Sequence, residues 1–142
     1  MNRSALIVGA GSGLSSSLAL QCANLGMDVA LAARNIEKLE DLSRQTAASL
    51  HKCDASKIED VNRLFKDLDE KLGIPELVVY NPSARLRGSI ETLDPEKTKE
   101  ALDVTCFGAF LVAQQAAKRM LKRGSGSIFF TGASAGVKGF AN

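Results

Sequence analysis

Short apolar runs alternate along the chain with longer stretches in which apolar residues recur every three or four positions. Ala5-Leu6-Ile7-Val8, Val29-Ala30-Leu31-Ala32 and Leu77-Val78-Val79-Tyr80 are apolar without interruption, which is the pattern of strands covered on both faces. Ser49-Leu50-His51-Lys52-Cys53 alternates weakly and is expected as the third strand, with Ser127-Ile128-Phe129-Phe130-Thr131 as the fifth. Helices fill the intervals. The first runs from about Gly13 to Leu25, closed by Gly26 as a C-cap. The second opens at Asn35 as N-cap and places Ile36, Leu39 and Leu42 at helical spacing. From Ser56 to Leu72, one face carries Ile58, Val61, Leu64, Phe65, Leu68 and Leu72, and the other Glu59, Asp60, Lys66, Asp67 and Glu70. The last helix begins at Asp94-Pro95-Glu96, with an aspartate cap, proline in the first turn and an acid at the positive end of the dipole. It extends to Arg123, with Gly108 as the point of a break or kink.

Alternation of strand and helix from end to end predicts an α/β fold, a doubly wound parallel sheet with helices on both faces, reaching only its fifth strand. With no internal repeat and no linker, residues 1–142 are read as one domain. The candidate chemistry follows the first strand. Gly9-Ala10-Gly11-Ser12-Gly13 lies between a strand and a helix, where glycine lets the backbone turn tightly and approach a pyrophosphate, and where free N–H groups and the helix dipole favour negative charge. The same string fits the glycine motif of S-adenosylmethionine-dependent methyltransferases, which is the less favoured alternative. Those proteins carry acids two positions before the first glycine and at the end of the second strand, and Ile7 and Ala33 stand there instead. An acid at the second place would accept the ribose hydroxyls of a dinucleotide and repel a 2′-phosphate, whereas Arg34, next in the chain, does the reverse. NADP(H) is therefore expected over NAD(H).

With these pieces placed, the chain resembles the short-chain dehydrogenase/reductase family from residue 4 to the end. Gly9 and Gly13 match the family's glycine-rich turn, with Ser15 where a third glycine is usual, and Leu31-Ala32-Ala33-Arg34-Asn35 is similar to the NADP-preferring second turn. Cys53-Asp54-Ala55 resembles the segment whose aspartate meets the adenine amino group, and Asn81 matches the second asparagine of the family's Asn-Asn-Ala-Gly. The resemblance implies a Rossmann fold and hydride transfer between NAD(P) and a small carbonyl or alcohol substrate. It assigns the pyrophosphate to Gly9, Gly11, Ser12, Gly13 and Leu14, the 2′-phosphate to Arg34, the adenine to Asp54 and Ala55, and the cleft wall to Asn81. The family's catalytic groups are a serine, a Tyr-x-x-x-Lys pair and often an asparagine on the long helix. Here Thr105 stands at the asparagine position, Ala133 at that of the serine, and Ser134, one place late, is the candidate catalytic or substrate-contacting residue. Tyr80 is the sole tyrosine, has Ala84 rather than lysine four residues on, and is read as a strand end packed near the cleft. The chain is thus expected to be the N-terminal, cofactor-binding part of a reductase, with a non-catalytic dinucleotide-binding module as the alternative.

Composition narrows the partners. Lys and Arg number 18 against 16 Asp and Glu, a formal charge of +2, which gives no reason to expect nucleic acid or an anionic membrane. Three cysteines far apart, with no CxxC, point to free thiols in a reducing compartment and a cytoplasmic protein. A single histidine, His51, leaves no multi-histidine metal site. The first apolar run is too short for a signal-peptide core, and no run approaches a membrane span. Cys106 to Ala113 is apolar nearly all round. In relatives the corresponding helix often packs between subunits, so the resemblance implies a homo-oligomer through residues 94–123.

Overall fold

The structure, a computed structural model, describes residues 3–139. Five strands form one sheet: β1 (Ser4–Val8), β2 (Asp28–Ala33), β3 (Ser49–Lys52), β4 (Leu77–Tyr80) and β5 (Ser127–Phe130). Their order is β3-β2-β1-β4-β5, and every pairing is parallel. The chain starts at the centre, walks out to β3, then crosses back to the other side of β1. The direction of winding therefore reverses between β1 and β4, which is the position where open α/β sheets bind ligands beyond the carboxyl ends of their strands. Val8 pairs with Ala32 on one side and Tyr80 on the other, so three strand ends lie level there.

The helices are α1 (Leu14–Asn24), α2 (Glu40–Thr46), α3 (Ile58–Lys71), α4 (Pro95–Leu102) and α5 (Gly108–Arg123). Successive strand residues point to opposite faces, and each face has its own apolar layer. Leu6, Val8, Val78 and Tyr80 pack with Val61, Leu64, Phe65 and Leu68 of α3 and with Leu111, Val112 and Ala116 of α5. Ala5, Ile7, Val29, Leu31 and Val79 pack with Ala19 and Cys22 of α1 and with Leu39 and Leu42. The uninterrupted apolar strands and the two-sided burial are the same fact seen at two levels. No helix among the described residues is long and apolar enough to cross a membrane.

Strand and helix ends shift by a residue in places, and three larger differences from the sequence reading have a local reason. Asn35 does accept a hydrogen bond, from the Glu37 N–H at 3.1 Å, but a bond to the second residue on holds a tight turn. The segment accordingly enters as a 3-10 turn at Glu37–Leu39, and α2 starts at Glu40. The third helix opens at Ile58, not Ser56, because the Ser56 N–H and hydroxyl both donate to Asp54 Oδ1, at 3.0 and 2.7 Å. The expected long helix is two helices joined by a π-helical segment, Asp103–Phe107, ending just before Gly108. That wider turn alters which carbonyls have helical partners, and the Tyr80 hydroxyl donates to the Val104 carbonyl. At the other edge of the sheet, β5 leaves Phe129 and Phe130 60% and 53% exposed.

Candidate functional site

The turn after β1 is shaped by what surrounds it. The N–H groups of Gly9 and Ala10 both donate to the Ala32 carbonyl, at 2.9 and 3.1 Å, and bind the turn to the end of β2. Gly9 has φ +77°, and a Cβ on it would lie 2.6 Å from the Pro82 nitrogen, so no other residue fits. The N–H groups of Gly11, Ser12 and Gly13 have no partner among the described residues. No side chain caps α1 and its first turn contains no acid. The positive end of the helix is therefore open, with donors available to an anion.

A cavity of about 400 Å³ lies at the carboxyl ends of the strands. It gathers Gly9 and Ala10 after β1, Ala33, Arg34, Asn35 and Lys38 after β2, Cys53, Asp54 and Ala55 after β3, and Asn81, Pro82 and Ser83 after β4. Of the residues named from sequence, Gly9, Arg34, Asp54, Ala55 and Asn81 meet in this one cavity. Gly11, Ser12, Gly13 and Leu14 stand at the start of α1 outside its lining, and Leu14 borders an apolar groove with Leu18, Val79 and Phe129. Ser134 sits on an exposed 3-10 turn, Ser134–Gly136, and is not among the lining residues.

Arg34 and Lys38 are both exposed, and neither has an ion pair or side-chain hydrogen bond among the described residues. Lys38 was missed in the sequence, where nothing separates it from any other surface lysine; it reaches the cavity on the 3-10 turn Glu37–Leu39 that follows β2. After β3, the Asp54 N–H donates to Asp60 Oδ2 at 2.8 Å. That bond, with help from Arg63, holds the Asp60 carboxyl below the usual carboxylate range. Asp54 spends Oδ1 on Ser56, while its other oxygen has no partner among the described residues. Burial pushes the Cys53 thiol up to about 12, so it faces the cavity as a neutral, unreactive group.

Tyr80 is 3% exposed, and burial raises its phenol above the ordinary tyrosine value. Its hydroxyl is committed to Val104, so it serves packing, as its strand-end position implied. Thr105, at the family's asparagine position, accepts from the Ala84 N–H at 3.1 Å and fastens the loop after β4 to the π-helical segment. Asn81 is bonded on both sides of its amide: Nδ2 donates to Ser15 Oγ at 2.8 Å, and Oδ1 accepts from the Thr131 hydroxyl at 2.7 Å. Neither Ser15 nor Thr131 was singled out from sequence for a polar role.

Comparison with known proteins agrees with this geometry. The sequence model of the short chain dehydrogenase family matches residues 3–142. Farnesol dehydrogenase of Aedes aegypti is 33% identical over 126 residues, covering 84% of this chain and 51% of its own. A short-chain type dehydrogenase/reductase from Mycobacterium marinum superposes with TM-score 0.91 at 28% identity, covering 96% of this chain and 57% of its own. A variant of actinorhodin polyketide ketoreductase, solved with NADPH, superposes with TM-score 0.92 at 25% identity, covering 98% and 56%. The chain spans about half the length of the curated relatives it matches. With the family's own pattern matched across nearly every residue, on the sheet order and cleft described above, this chain belongs to the short-chain dehydrogenase/reductase family.

Proposed function

We propose that the cleft binds a nicotinamide dinucleotide carrying a 2′-phosphate, NADP(H) in preference to NAD(H). In this reading the chain is the cofactor-binding portion of an oxidoreductase acting on a carbonyl or alcohol. The observation that carries it is the pair of uncommitted cations Arg34 and Lys38 on one cavity wall, beside Ala33 where a carboxylate would otherwise stand. A carboxylate would hold the ribose hydroxyls and repel a phosphate, while a guanidinium offers that phosphate two parallel donors and the ammonium adds a second charge. The rest of the site fits the group. Open amides at Gly11, Ser12 and Gly13 suit the pyrophosphate, and Gly9 admits close backbone approach. Asp54 and Ala55 line the side expected for the adenine, with Asn81 on the wall.

The bound nicotinamide supplies or accepts a hydride; this chain's residues hold and orient it. The NADPH in the polyketide ketoreductase supports the phosphate reading, and the alcohol named in the farnesol dehydrogenase supports the substrate class. Three free thiols fit a reducing, cytoplasmic setting. Titration of the full-length chain with NADPH and NADH tests the proposal. A charge-assisted bond is worth about 1.5–3 kcal/mol, so NADPH should bind at least about tenfold more tightly. Arg34→Ala and Lys38→Ala should each weaken NADPH by about tenfold and leave NADH unchanged. Equal wild-type affinities would overturn the reading.

A further inference from the structure

Ser15 stands where the family's glycine turn has its third glycine, and it is 1% exposed. A glycine there serves only close packing of helix on strand, whereas this side chain brings a hydroxyl into a dry place. It uses both of its capacities. The hydroxyl donates to the Gly9 carbonyl at 3.2 Å and accepts from Asn81 Nδ2 at 2.8 Å, and Asn81 Oδ1 accepts in turn from the Thr131 hydroxyl at 2.7 Å. The Thr131 hydroxyl also lies 3.3 Å from the Tyr80 carbonyl, but its one hydrogen goes to the shorter contact, and the donors then run in one direction, from the exit of β5 through the end of β4 and the first turn of α1 to the glycine turn.

The Gly9–Ala10 peptide is thereby held at both ends, its oxygen by Ser15 and its N–H by the Ala32 carbonyl at 3.1 Å. That matters because Gly9, a glycine at φ +77°, has no side chain of its own to fix this peptide's orientation. If that peptide rotated, a carbonyl oxygen would join the turn whose amides must meet an anion, and the like partial charges would repel. Turned toward the buried Ser15 hydroxyl, the oxygen is kept out of the way.

We propose that Ser15 is a positioning residue for the cofactor's pyrophosphate. Its hydroxyl locks the Gly9–Ala10 peptide so that the turn offers donors alone. The proposal rests on the dinucleotide reading above, and two ligands separate the two. NADPH engages the glycine turn; adenosine 2′-monophosphate has no pyrophosphate and reports only the Arg34, Lys38 and Asp54 side of the cleft. In the full-length chain, Ser15→Ala should weaken NADPH by about tenfold, since it strands a buried acceptor and a buried donor, and leave adenosine 2′-monophosphate within about twofold. Thr131→Val, outside the cavity lining, removes the first donor of the relay together with the weaker 3.3 Å contact to the Tyr80 carbonyl. It should show the same split at about two- to threefold, and it decides the matter if the alanine variant does not fold. Equal weakening of both ligands would mean a general structural role and overturn the proposal, as would no weakening of either. A wild-type chain that binds neither ligand would overturn the cleft reading and this proposal with it.

Discussion

Replacing Gly108 by alanine sets two physical effects against each other. The residue opens α5 with ordinary helical angles, φ −61° and ψ −39°, so helix propensity alone favours alanine by about 1 kcal/mol. The surroundings oppose it. A Cβ there would collide with the Tyr80 hydroxyl and lie 2.8 Å from the Ala55 carbonyl oxygen and 3.1 Å from its carbon. Tyr80 is buried and bonded to Val104, and the Ala55 contact is backbone, so neither yields as a flexible side-chain tip would. Overpacking of this kind costs about 1–3 kcal/mol, and driving the phenol of buried Tyr80 from Val104 leaves its hydroxyl without a partner for about 1–3 kcal/mol more. Taking about 2 kcal/mol for each against about 1 kcal/mol gained leaves a net loss of roughly 3 kcal/mol. For a domain of this size that lowers Tm by about 10 °C. Thermal and urea unfolding followed by far-ultraviolet circular dichroism would measure it. Adding Tyr80→Phe should recover part of the loss, because the clashing oxygen is gone and its bond was already broken. An alanine variant as stable as the wild type, or more so, would refute the reasoning.

Other perturbations test other parts. Gly9→Ala forces a side chain into left-handed backbone against Pro82; we expect a loss above about 2 kcal/mol and no measurable NADPH binding, read by urea unfolding and titration. His51 is 7% exposed, with Ser49 Oγ 3.0 Å from Nε2. Burial lowers its imidazole below the usual value, against the pull of Asp67 and with the push of Lys71. The unfolded chain therefore takes up the proton first as pH falls, so stability present above about pH 6.5 is lost below it, and His51→Gln should flatten the change in urea midpoint. Cys106 is exposed while Cys22 and Cys53 are buried with raised thiol values; a disulfide reagent should titrate one thiol quickly and the other two only on unfolding. Self-association through residues 94–123 has a concrete handle in the exposed, stacked pair Phe107 and Phe110, 6.2 Å apart. The chain should sediment above monomer mass, and Phe110→Glu should return it to monomer.

Much of this protein is written in local pattern. Leu77 to Tyr80 reads as a strand and is one, and the run from Val29 to Ala32 lies inside β2, because a strand covered on both faces has no polar side to show. Arg34 is legible from its place directly after the second strand, whereas Asp54 and Asn81 are named only through the family resemblance; parallel strands bring their carboxyl ends to one edge, and all three line one cavity there. What the pattern could not carry is the identity of neighbours. Nothing local distinguishes Gly108 as a breaker from Gly108 as the only residue that fits beside Tyr80 and Ala55. Ser15 reads as one polar residue among three serines, and its partner Asn81 lies 66 positions away. Lys38 looks like any surface lysine until the turn after β2 sets it beside Arg34. Periodicity reports which face of an element avoids water, and that much belongs to the chain alone. Which atoms then meet across elements is decided by the order β3-β2-β1-β4-β5, since close packing joins residues by distance in space and not by distance along the chain.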